Sequence, residues 1–138
     1  MAAAGYEVLH ISEIPDPDAE KRPGDPDWHA VRIHLGIQAF GANANVASED
    51  GGALIGEHTE VDTNHEELYV VSTGHATFTL DGEALEVPAG TFVYVRDPAV
   101  TRSAVARDRG TTVLAFGGTP GEAFSVSEWE REYGAGDP

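Results

Sequence analysis

Cysteine is absent from the sequence, and lysine and arginine are scarce. Without thiols the chain has no disulfide, no thiolate ligand and no cysteine nucleophile, so any metal site must use histidine, carboxylate and water. Eight basic residues stand against 24 acidic ones, which gives a formal net charge of −16. Because so acidic a surface repels phosphates, we expect neither nucleic acid nor an anionic membrane as a partner.

Long apolar segments are absent as well. A run of about 18 apolar residues, the length needed to cross a bilayer, does not occur in the sequence. The first residues, MAAAGYEV, lack the basic start and apolar centre of a secretory signal. We therefore expect a cytoplasmic protein with no membrane partner, and a chain of this length fits a single domain.

Segments typical of strands recur along the chain, separated by turn signals. The stretch HATFTL alternates apolar and polar residues, and Asp81 with Gly82 after it is a strong hairpin signal. Other such stretches are WHAVRIHL, ALIGEH, EALEV, TFVYV, SAVA and TTVLAF, and we expect the last two to form another hairpin. Phe78 and Phe92 are expected in the core. About eight to ten short strands, spaced about 8 to 12 residues apart, predict an all-β barrel or sandwich.

The chain divides into three parts. Residues 1–27 are predicted to form an N-terminal strand, from Tyr6 to Ile11, followed by an arm rich in proline and aspartate. Four prolines between residues 12 and 27 exclude a helix or an inner strand there. The arm is either a lid over a pocket or a tether for the first strand. Residues 28–126 are predicted to form the barrel.

Residues 127–138 are predicted to form a short helix and a tail. Ser127 followed three residues later by Glu130 is a capping-box pattern, which favours a helix start. Trp129 lies within this helix, and we expect it to pack against the body of the protein.

Groups able to do chemistry are densest between residues 56 and 74. Alternation on both sides of residues 61–64 predicts two antiparallel strands joined by a four-residue turn. In that register Glu60 lies opposite His65, and His58 lies opposite Glu67. Opposite residues have Cβ atoms about 4.5 to 5.5 Å apart, and side chains two apart on a strand share a face. The four side chains are therefore expected to converge on one patch.

Two imidazoles and two carboxylates on one face are suited to a divalent metal ion, such as Fe, Mn, Ni, Zn or Cu. The alternative is a solvated hairpin face with a surface pair of Glu60 and His65. A slip of one residue in register would separate the set. The spacing alone leaves both interpretations open.

Two spacings resemble the sequence motifs of the cupins, a family of small jelly-roll barrels. Glu67, six further residues and Gly74, within HEELYVVSTG, are similar to the end of the first cupin motif. Gly82, five further residues, Pro88 and then Gly90 are similar to the start of the second motif. The resemblance covers about residues 50–118. It implies an all-β fold, the cupin double-stranded β-helix (jelly-roll barrel), with one short C-terminal helix.

The chain departs from those motifs at the usual metal ligands. With three residues before the motif's glutamate, the two histidines of the first motif fall on Val61 and Thr63; with four, they fall on Glu60 and Asp62. The later histidine of the second motif falls on Thr101, judged by its distance from Gly90. The glutamate is the one usual ligand that stays in place. Cupins that have lost these ligands include members that bind no metal.

A shifted metal site remains consistent with the residues present. Its ligands would be His58, His65, Glu67 and Glu60, which the hairpin argument brings together independently of the resemblance. The resemblance adds a barrel interior for them to face. Tyr69 and Tyr94 are expected to add polar groups to the same cavity.

Two functions follow as hypotheses. In the first, the protein is a metal-dependent enzyme acting on a small organic molecule, with Glu60 as fourth ligand or base and Tyr69 or Tyr94 as proton donor. In the second, it is a metal-free protein that acts as a small-molecule binding module or as a dimeric structural protein. Because the strand from Leu68 to Val71 is apolar on both faces, we expect a homodimer formed through the outer sheet.

Overall fold

Two antiparallel sheets form the body of the protein in a computed structural model, which describes residues 5–133. The five-stranded sheet has the order β1 (Asp27–His29), β2 (Gly41–Val46), β9 (Thr112–Gly118), β4 (Glu66–Thr73), β7 (Phe92–Val95). The four-stranded sheet has the order β3 (Ala53–His58), β8 (Arg102–Ala106), β5 (His75–Leu80), β6 (Glu83–Pro88). The predicted all-β double-sheet fold is confirmed.

Helices are few and short in the described part of the chain. A 3₁₀ turn spans Ile11–Glu13, helix α1 spans Val31–Leu35, and helix α2 spans Glu128–Arg131. Within residues 5–133, no helix has the length and apolar character needed to cross a membrane.

The core lies between the two sheets. Period-two alternation turns Tyr69 and Val71 of β4 inward, where they meet Ala76 and Phe78 of β5. The rings of Tyr69 and Phe78 lie 5.4 Å apart. Phe78 therefore lies in the core as predicted, whereas Phe92 is exposed on the outer face of β7.

Short-range turn chemistry is predicted well. The pair of β5 and β6 residues next to the turn is Leu80 and Glu83. Asp81 and Gly82 between them therefore form a two-residue hairpin turn. Both turn residues have positive φ, at 49° and 84°. The position of Gly74 also requires a glycine. Its φ is 81°, and an added Cβ would lie 2.4 Å from Thr111 Oγ1. No side chain fits at Gly74, where β4 leaves one sheet and β5 enters the other.

Two predicted hairpins are wrong because the chain crosses between sheets. Strand β3 pairs with β8, whereas β4 pairs with β7 and β9, so the strands on either side of residues 61–64 are not neighbours. Likewise β8 and β9 lie in different sheets. Local alternation locates strands and turns, but the long-range partner of each strand is set by the jelly-roll topology.

The predicted N-terminal strand is also wrong. The stretch from Tyr6 to His10 forms no strand, and the side chains of Tyr6 and Val8 are 77% and 92% exposed. The arm that follows is held against the body, because Asp16 accepts a hydrogen bond from the Trp28 backbone N–H at 3.0 Å. A second contact joins His29 Nδ1 to the carbonyl of Ile14 at 2.7 Å. These contacts favour the tether over the lid.

Residues 28–35 were predicted as one strand, but only the first part of this stretch is one. After β1 the chain turns into α1, which ends at Gly36 with φ 72° and a hydrogen bond from its N–H to the carbonyl of Arg32. Val31, Ile33 and Leu35 alternate with polar residues as in a strand. A stretch of five residues is too short to distinguish the two-residue repeat of a strand from the 3.6-residue repeat of a helix. Arg32 is buried in this helix.

The C-terminal helix α2 forms as predicted, but its capping box does not. Ser127 makes no side-chain cap, and Glu130 is buried, with Oε2 accepting a hydrogen bond from Arg32 Nε at 2.5 Å. Trp129 packs on Trp28, with ring centroids 5.3 Å apart. The buried ion pair therefore joins α1 to α2, which stands at the rim of the cavity described below.

Replacing Glu130 with alanine should lower the free energy of unfolding by roughly 2 kcal/mol or more. The substitution removes the carboxylate that accepts hydrogen bonds from Arg32 and from Asn43 Nδ2. Urea unfolding monitored by fluorescence measures the change. Glu128, on the same helix but exposed, is the matched control, and its alanine variant should differ from wild type by less than about 0.5 kcal/mol. Equal effects of the two substitutions would contradict the assignment.

Candidate functional site

A cavity of about 810 Å³ opens between the two sheets beside α2. Its inner wall is apolar and includes Leu54, Tyr69 and Ala115. Its polar wall is formed by the end of β3, the turn after it and the start of β4. The residues expected from the sequence to converge, apart from Tyr94, all line this cavity.

Three of them meet closely. His58 Nε2 lies 2.9 Å from Glu60 Oε2 and 3.7 Å from Glu67 Oε1. One ligand atom from each of the three residues can be chosen so that all lie within 4.8 Å of one another. The predicted cross-strand pairs do not exist, because β3 and β4 lie in different sheets. The side chains converge nevertheless, because His58, Glu60 and Glu67 meet on the wall of the cavity between the sheets.

The other ring nitrogen of His58 fixes its orientation. Nδ1 lies 2.8 Å from the carbonyl oxygen of Gly56, to which it donates a hydrogen bond. Nε2 is thereby left facing the two carboxylates. A backbone carbonyl of this kind commonly orients a histidine that ligates metal through its second nitrogen.

His65 stands to one side of this group. It is buried, and its Nδ1 lies 3.6 Å from Glu60 Oε1, the oxygen turned away from His58. Its ring also packs on Phe124, with centroids 5.7 Å apart. His65 is therefore next to the cluster of His58, Glu60 and Glu67, but it is not one of its three converging donors.

The turn at residues 61–64 forms where it was predicted and fixes Glu60. The Asn64 N–H donates to the Glu60 carbonyl at 2.7 Å, and Asn64 has a φ of 58°. The Thr63 hydroxyl donates to Glu60 Oε1 at 2.9 Å. The Glu60 N–H in turn donates to the carbonyl of Pro98 at 2.8 Å, which ties the turn to the loop before β8.

Arg102 is the residue of this site that sequence reasoning missed. It is fully buried, and its Nη1 donates to Glu67 Oε1 at 2.8 Å. Its Nε and Nη2 donate to the carbonyl of Val100 at 3.1 and 3.0 Å. Thr101, where a histidine of the second cupin motif was expected, instead uses its backbone N–H to bond Asp81. The alternation along β8 could have indicated this residue, because Arg102, Ala104 and Ala106 are two apart and lie on the same inward face.

Tyr69 also acts on Glu67. Its hydroxyl donates to Glu67 Oε1, and burial together with the charge of Glu67 raises the pKa of the Tyr69 hydroxyl. For Glu67 itself, burial raises the pKa. Hydrogen bonds from His58 and Tyr69 and the charge of Arg102 outweigh burial and leave the pKa below its ordinary value. Glu67 is therefore an ionised, tightly oriented carboxylate.

His58 holds its proton strongly. Hydrogen bonds to Glu60 and Glu67 raise its pKa to about 10, against the lowering effect of burial. Protonated His58 and Arg102 then balance the charges of the two carboxylates. A metal ion bound here must displace the His58 proton, so metal binding releases a proton and strengthens with rising pH.

The expectation that Tyr94 contributes to this cavity is wrong. Tyr94 pairs with Leu68 on the outward face of the five-stranded sheet, and 49% of it is exposed. Its hydroxyl donates to Glu66 Oε2 at 2.6 Å, which raises the pKa of Tyr94. It lines a separate, shallower hollow of about 400 Å³ on the outside of the sheet. One step along a strand changes the face, so Tyr94 points away from the interior reached by Val95.

The two separations measured from His58 are short enough for a divalent ion. Two ligands that each lie about 2.0 to 2.2 Å from one ion are at most about 4.4 Å apart. The separations of 2.9 and 3.7 Å from His58 to the two glutamates fall inside that limit. Imidazole with carboxylates suits Zn, Mn, Fe and related ions. Arg102 restricts how Glu67 can bind an ion, because Oε1 of Glu67 already accepts a hydrogen bond from Arg102 Nη1.

Comparisons with known proteins place the fold. No family model and no curated protein matches the chain. A cupin protein from Bacteroides fragilis matches over 91% of this chain and 93% of its own, with a TM-score of 0.62 and 18% identity. An RmlC-like cupin from Shewanella frigidimarina gives a TM-score of 0.51 at 18% identity, over 67% of this chain and 72% of its own.

A third similar structure is a sugar phosphate isomerase from a cupin superfamily, from Silicibacter pomeroyi. It matches 67% of this chain and 59% of its own, with a TM-score of 0.57 and 18% identity. At these identities the likeness concerns the fold. The chain has a cupin fold, as the resemblance of its motifs implied.

Proposed function

We propose that this cupin-fold chain binds one divalent metal ion through His58, Glu60 and Glu67 and acts on, or binds, a small organic molecule in the barrel. The observation that carries the proposal is the convergence of these three donors within 4.8 Å on the cavity wall. The fixed ring of His58, with Nδ1 on the Gly56 carbonyl, supports it further. The description of the Silicibacter pomeroyi neighbour as a sugar phosphate isomerase supports small-molecule chemistry in the cavity.

An ion held here would supply a Lewis acid for oxygen atoms of the bound molecule, or activate dioxygen. The protein groups have separate tasks. Arg102 and Tyr69 keep Glu67 ionised and fixed through hydrogen bonds to Oε1. Tyr69 is thus a positioning residue rather than the proton donor expected from the sequence. Glu60 is contacted by His58 and Thr63 rather than by Arg102 and Tyr69, and it is the carboxylate that would take a proton from a bound molecule.

His65 keeps a place in this proposal as a possible fourth ligand, because its Nδ1 lies 3.6 Å from Glu60 Oε1. To ligate the same ion it must move toward His58. Its packing on Phe124 opposes that movement. We therefore assign the three-residue set as the primary ligands.

Metal titration tests the proposal. The protein, stripped with a chelator and titrated with Mn²⁺, Fe²⁺, Ni²⁺, Zn²⁺ or Cu²⁺ by calorimetry, should bind one ion per chain. Glu60→Gln should weaken that binding by more than about tenfold, because it replaces a charged ligand with a neutral one. Glu57→Gln is the matched control, since Glu57 lines the cavity outside the cluster. Failure of all five ions to bind, or equal weakening in the two variants, would remove the proposal.

A second candidate is a metal-free cupin that binds a small molecule and forms a homodimer. It is favoured by the charge balance of the cluster, where Arg102 and protonated His58 already compensate Glu60 and Glu67. Under this candidate His58→Ala leaves small-molecule binding intact. Under the first candidate the same substitution removes metal-dependent binding.

The proposed homodimer uses the outer face of the five-stranded sheet. Phe92, Tyr94 and Phe116 are exposed there, and exposed aromatic clusters are typical of protein interfaces. Light scattering after size-exclusion chromatography should give twice the chain mass of 14.6 kDa. The variant Phe92→Glu should shift the mass toward the monomer, since it places a charge in the contact. A monomeric wild type would contradict the dimer.

A further inference from the structure

The cavity is far larger than a metal site. At about 810 Å³ it can enclose a small organic molecule, and most of its wall lies outside the cluster of His58, Glu60 and Glu67. The chemistry of this remaining wall therefore decides which molecules enter.

Aromatic rings form one part of that wall. Trp28, Phe124 and Trp129 line the cavity. Trp28 contacts Trp129 at 5.3 Å and Tyr133 at 4.9 Å between ring centroids, so an aromatic group stands beside α2. Faces of tryptophan rings attract cations more strongly than any other aromatic surface.

Carboxylates form another part. Seven line the cavity, and among the residues that the structure describes neither lysine nor arginine lines it. Glu60 and Glu67 face His58, and Glu130 is paired with Arg32. The other four stand on the outer part of the wall: Glu57, Asp62, Glu128, Glu132.

The arm adds more negative charge at the same place. Tyr133, in contact with Trp28, has its pKa raised first by burial and then by the charges of Asp18, Glu132, Asp16 and Glu20. Asp16 also bonds the Trp28 backbone. Acidic residues of the arm and of the end of α2 therefore lie near the aromatic group.

We infer that the cavity selects an organic cation, a small molecule carrying a quaternary or protonated amine. This inference rests on the proposed function, in that it names the ligand class of the same cavity. A cationic head is attracted both by the aromatic faces and by the surrounding carboxylates. A phosphorylated sugar meets no lysine or arginine in the described lining, so phosphate groups are disfavoured here. The ligand class thus differs from that named for the Silicibacter pomeroyi neighbour.

Calorimetric titration with three probes tests the inference on the intact wild-type chain. Choline is the cation, 3,3-dimethylbutan-1-ol is its uncharged isostere, and glucose 6-phosphate is the anion. Choline should bind at least about tenfold more tightly than the alcohol, and glucose 6-phosphate should bind more weakly than either. Choline that binds no more tightly than the alcohol, including no measurable binding of either, would overturn the inference. So would tighter binding of glucose 6-phosphate than of choline.

Variants locate the binding. Trp129→Ala should weaken choline binding by about 3-fold to 30-fold, while Trp129→Phe should restore most of it because a ring remains. Tyr6→Ala is the matched control, since Tyr6 is an exposed aromatic residue that does not line the cavity. Equal losses in the Trp129→Ala and Tyr6→Ala variants would place the cation elsewhere and overturn the inference.

The metal proposal and this inference fail separately. The probe series is run on chelator-stripped protein, on metal-loaded protein and on His58→Ala. Absence of metal binding with an unchanged preference for choline removes the metal proposal alone. Metal binding without a preference for choline removes the inference alone.

Discussion

Replacing Arg102 with methionine should lower the free energy of unfolding by about 3 to 5 kcal/mol. The guanidinium is fully buried and donates to Glu67 Oε1 at 2.8 Å, so its loss leaves a largely buried carboxylate without its arginine partner. The carbonyl of Val100 also loses two donors. Methionine fills most of the volume of the arginine side chain. The expected loss of stability therefore comes from the missing charge and hydrogen bonds rather than from a cavity.

Urea unfolding of three variants measures this effect. Arg96→Met is the matched control: Arg96 is exposed and lies over the Tyr94 ring at 5.1 Å, so its loss should cost less than about 1 kcal/mol. The double variant Arg102→Met with Glu67→Leu should recover part of the stability, because removing both members of a buried ion pair is often nearly neutral. Equal stabilities of the Arg102→Met and Arg96→Met proteins would show that Glu67 does not depend on the guanidinium.

His58→Ala should weaken metal binding by more than about 100-fold. Groups that only orient a ligand already contribute 10-fold to 100-fold to metal affinity, and His58 is proposed as the one nitrogen donor of the set. Its side chain is 38% exposed, so its removal leaves no large cavity. Calorimetric titration of the variant with the ion that wild type binds most tightly measures the loss.

His75 provides the control for that substitution. It also pairs with a glutamate, with Nε2 lying 2.7 Å from Glu86 Oε1, but this pair stands on the outside of the four-stranded sheet. His75→Ala should therefore bind metal as wild type does. A His58→Ala protein that binds metal as tightly as His75→Ala would place the ion somewhere other than the cluster.

Local features of the fold and site could be predicted from the sequence. The turn at residues 61–64 and the hairpin at Asp81 and Gly82 depend on neighbouring residues only, and both form. The spacing from Glu67 to Gly74 indicated the barrel, and the structure explains Gly74 by its close approach to Thr111. Convergence of His58 with Glu67 was also anticipated, although through a hairpin that does not exist.

Long-range pairing could not be predicted, and the errors follow from it. Arg102 stands opposite His58 because β8 pairs with β3, and its side chain contacts Glu67 of the other sheet. Nothing near Arg102 in the sequence indicates that neighbour. Tyr94 was placed on the wrong face because its apolar neighbours alternate weakly, with both faces of β7 bearing large side chains. The buried pair of Arg32 and Glu130 likewise joins distant segments.

The most direct test of the metal centre is a crystal of the protein grown with the ion that calorimetry selects, with X-ray data collected at the absorption edge of that ion. The proposed site predicts one anomalous peak per chain, about 2.0 to 2.2 Å from His58 Nε2 and from a carboxylate oxygen of both Glu60 and Glu67. A peak bound by other residues, or no peak between these three side chains at saturating metal, would contradict it.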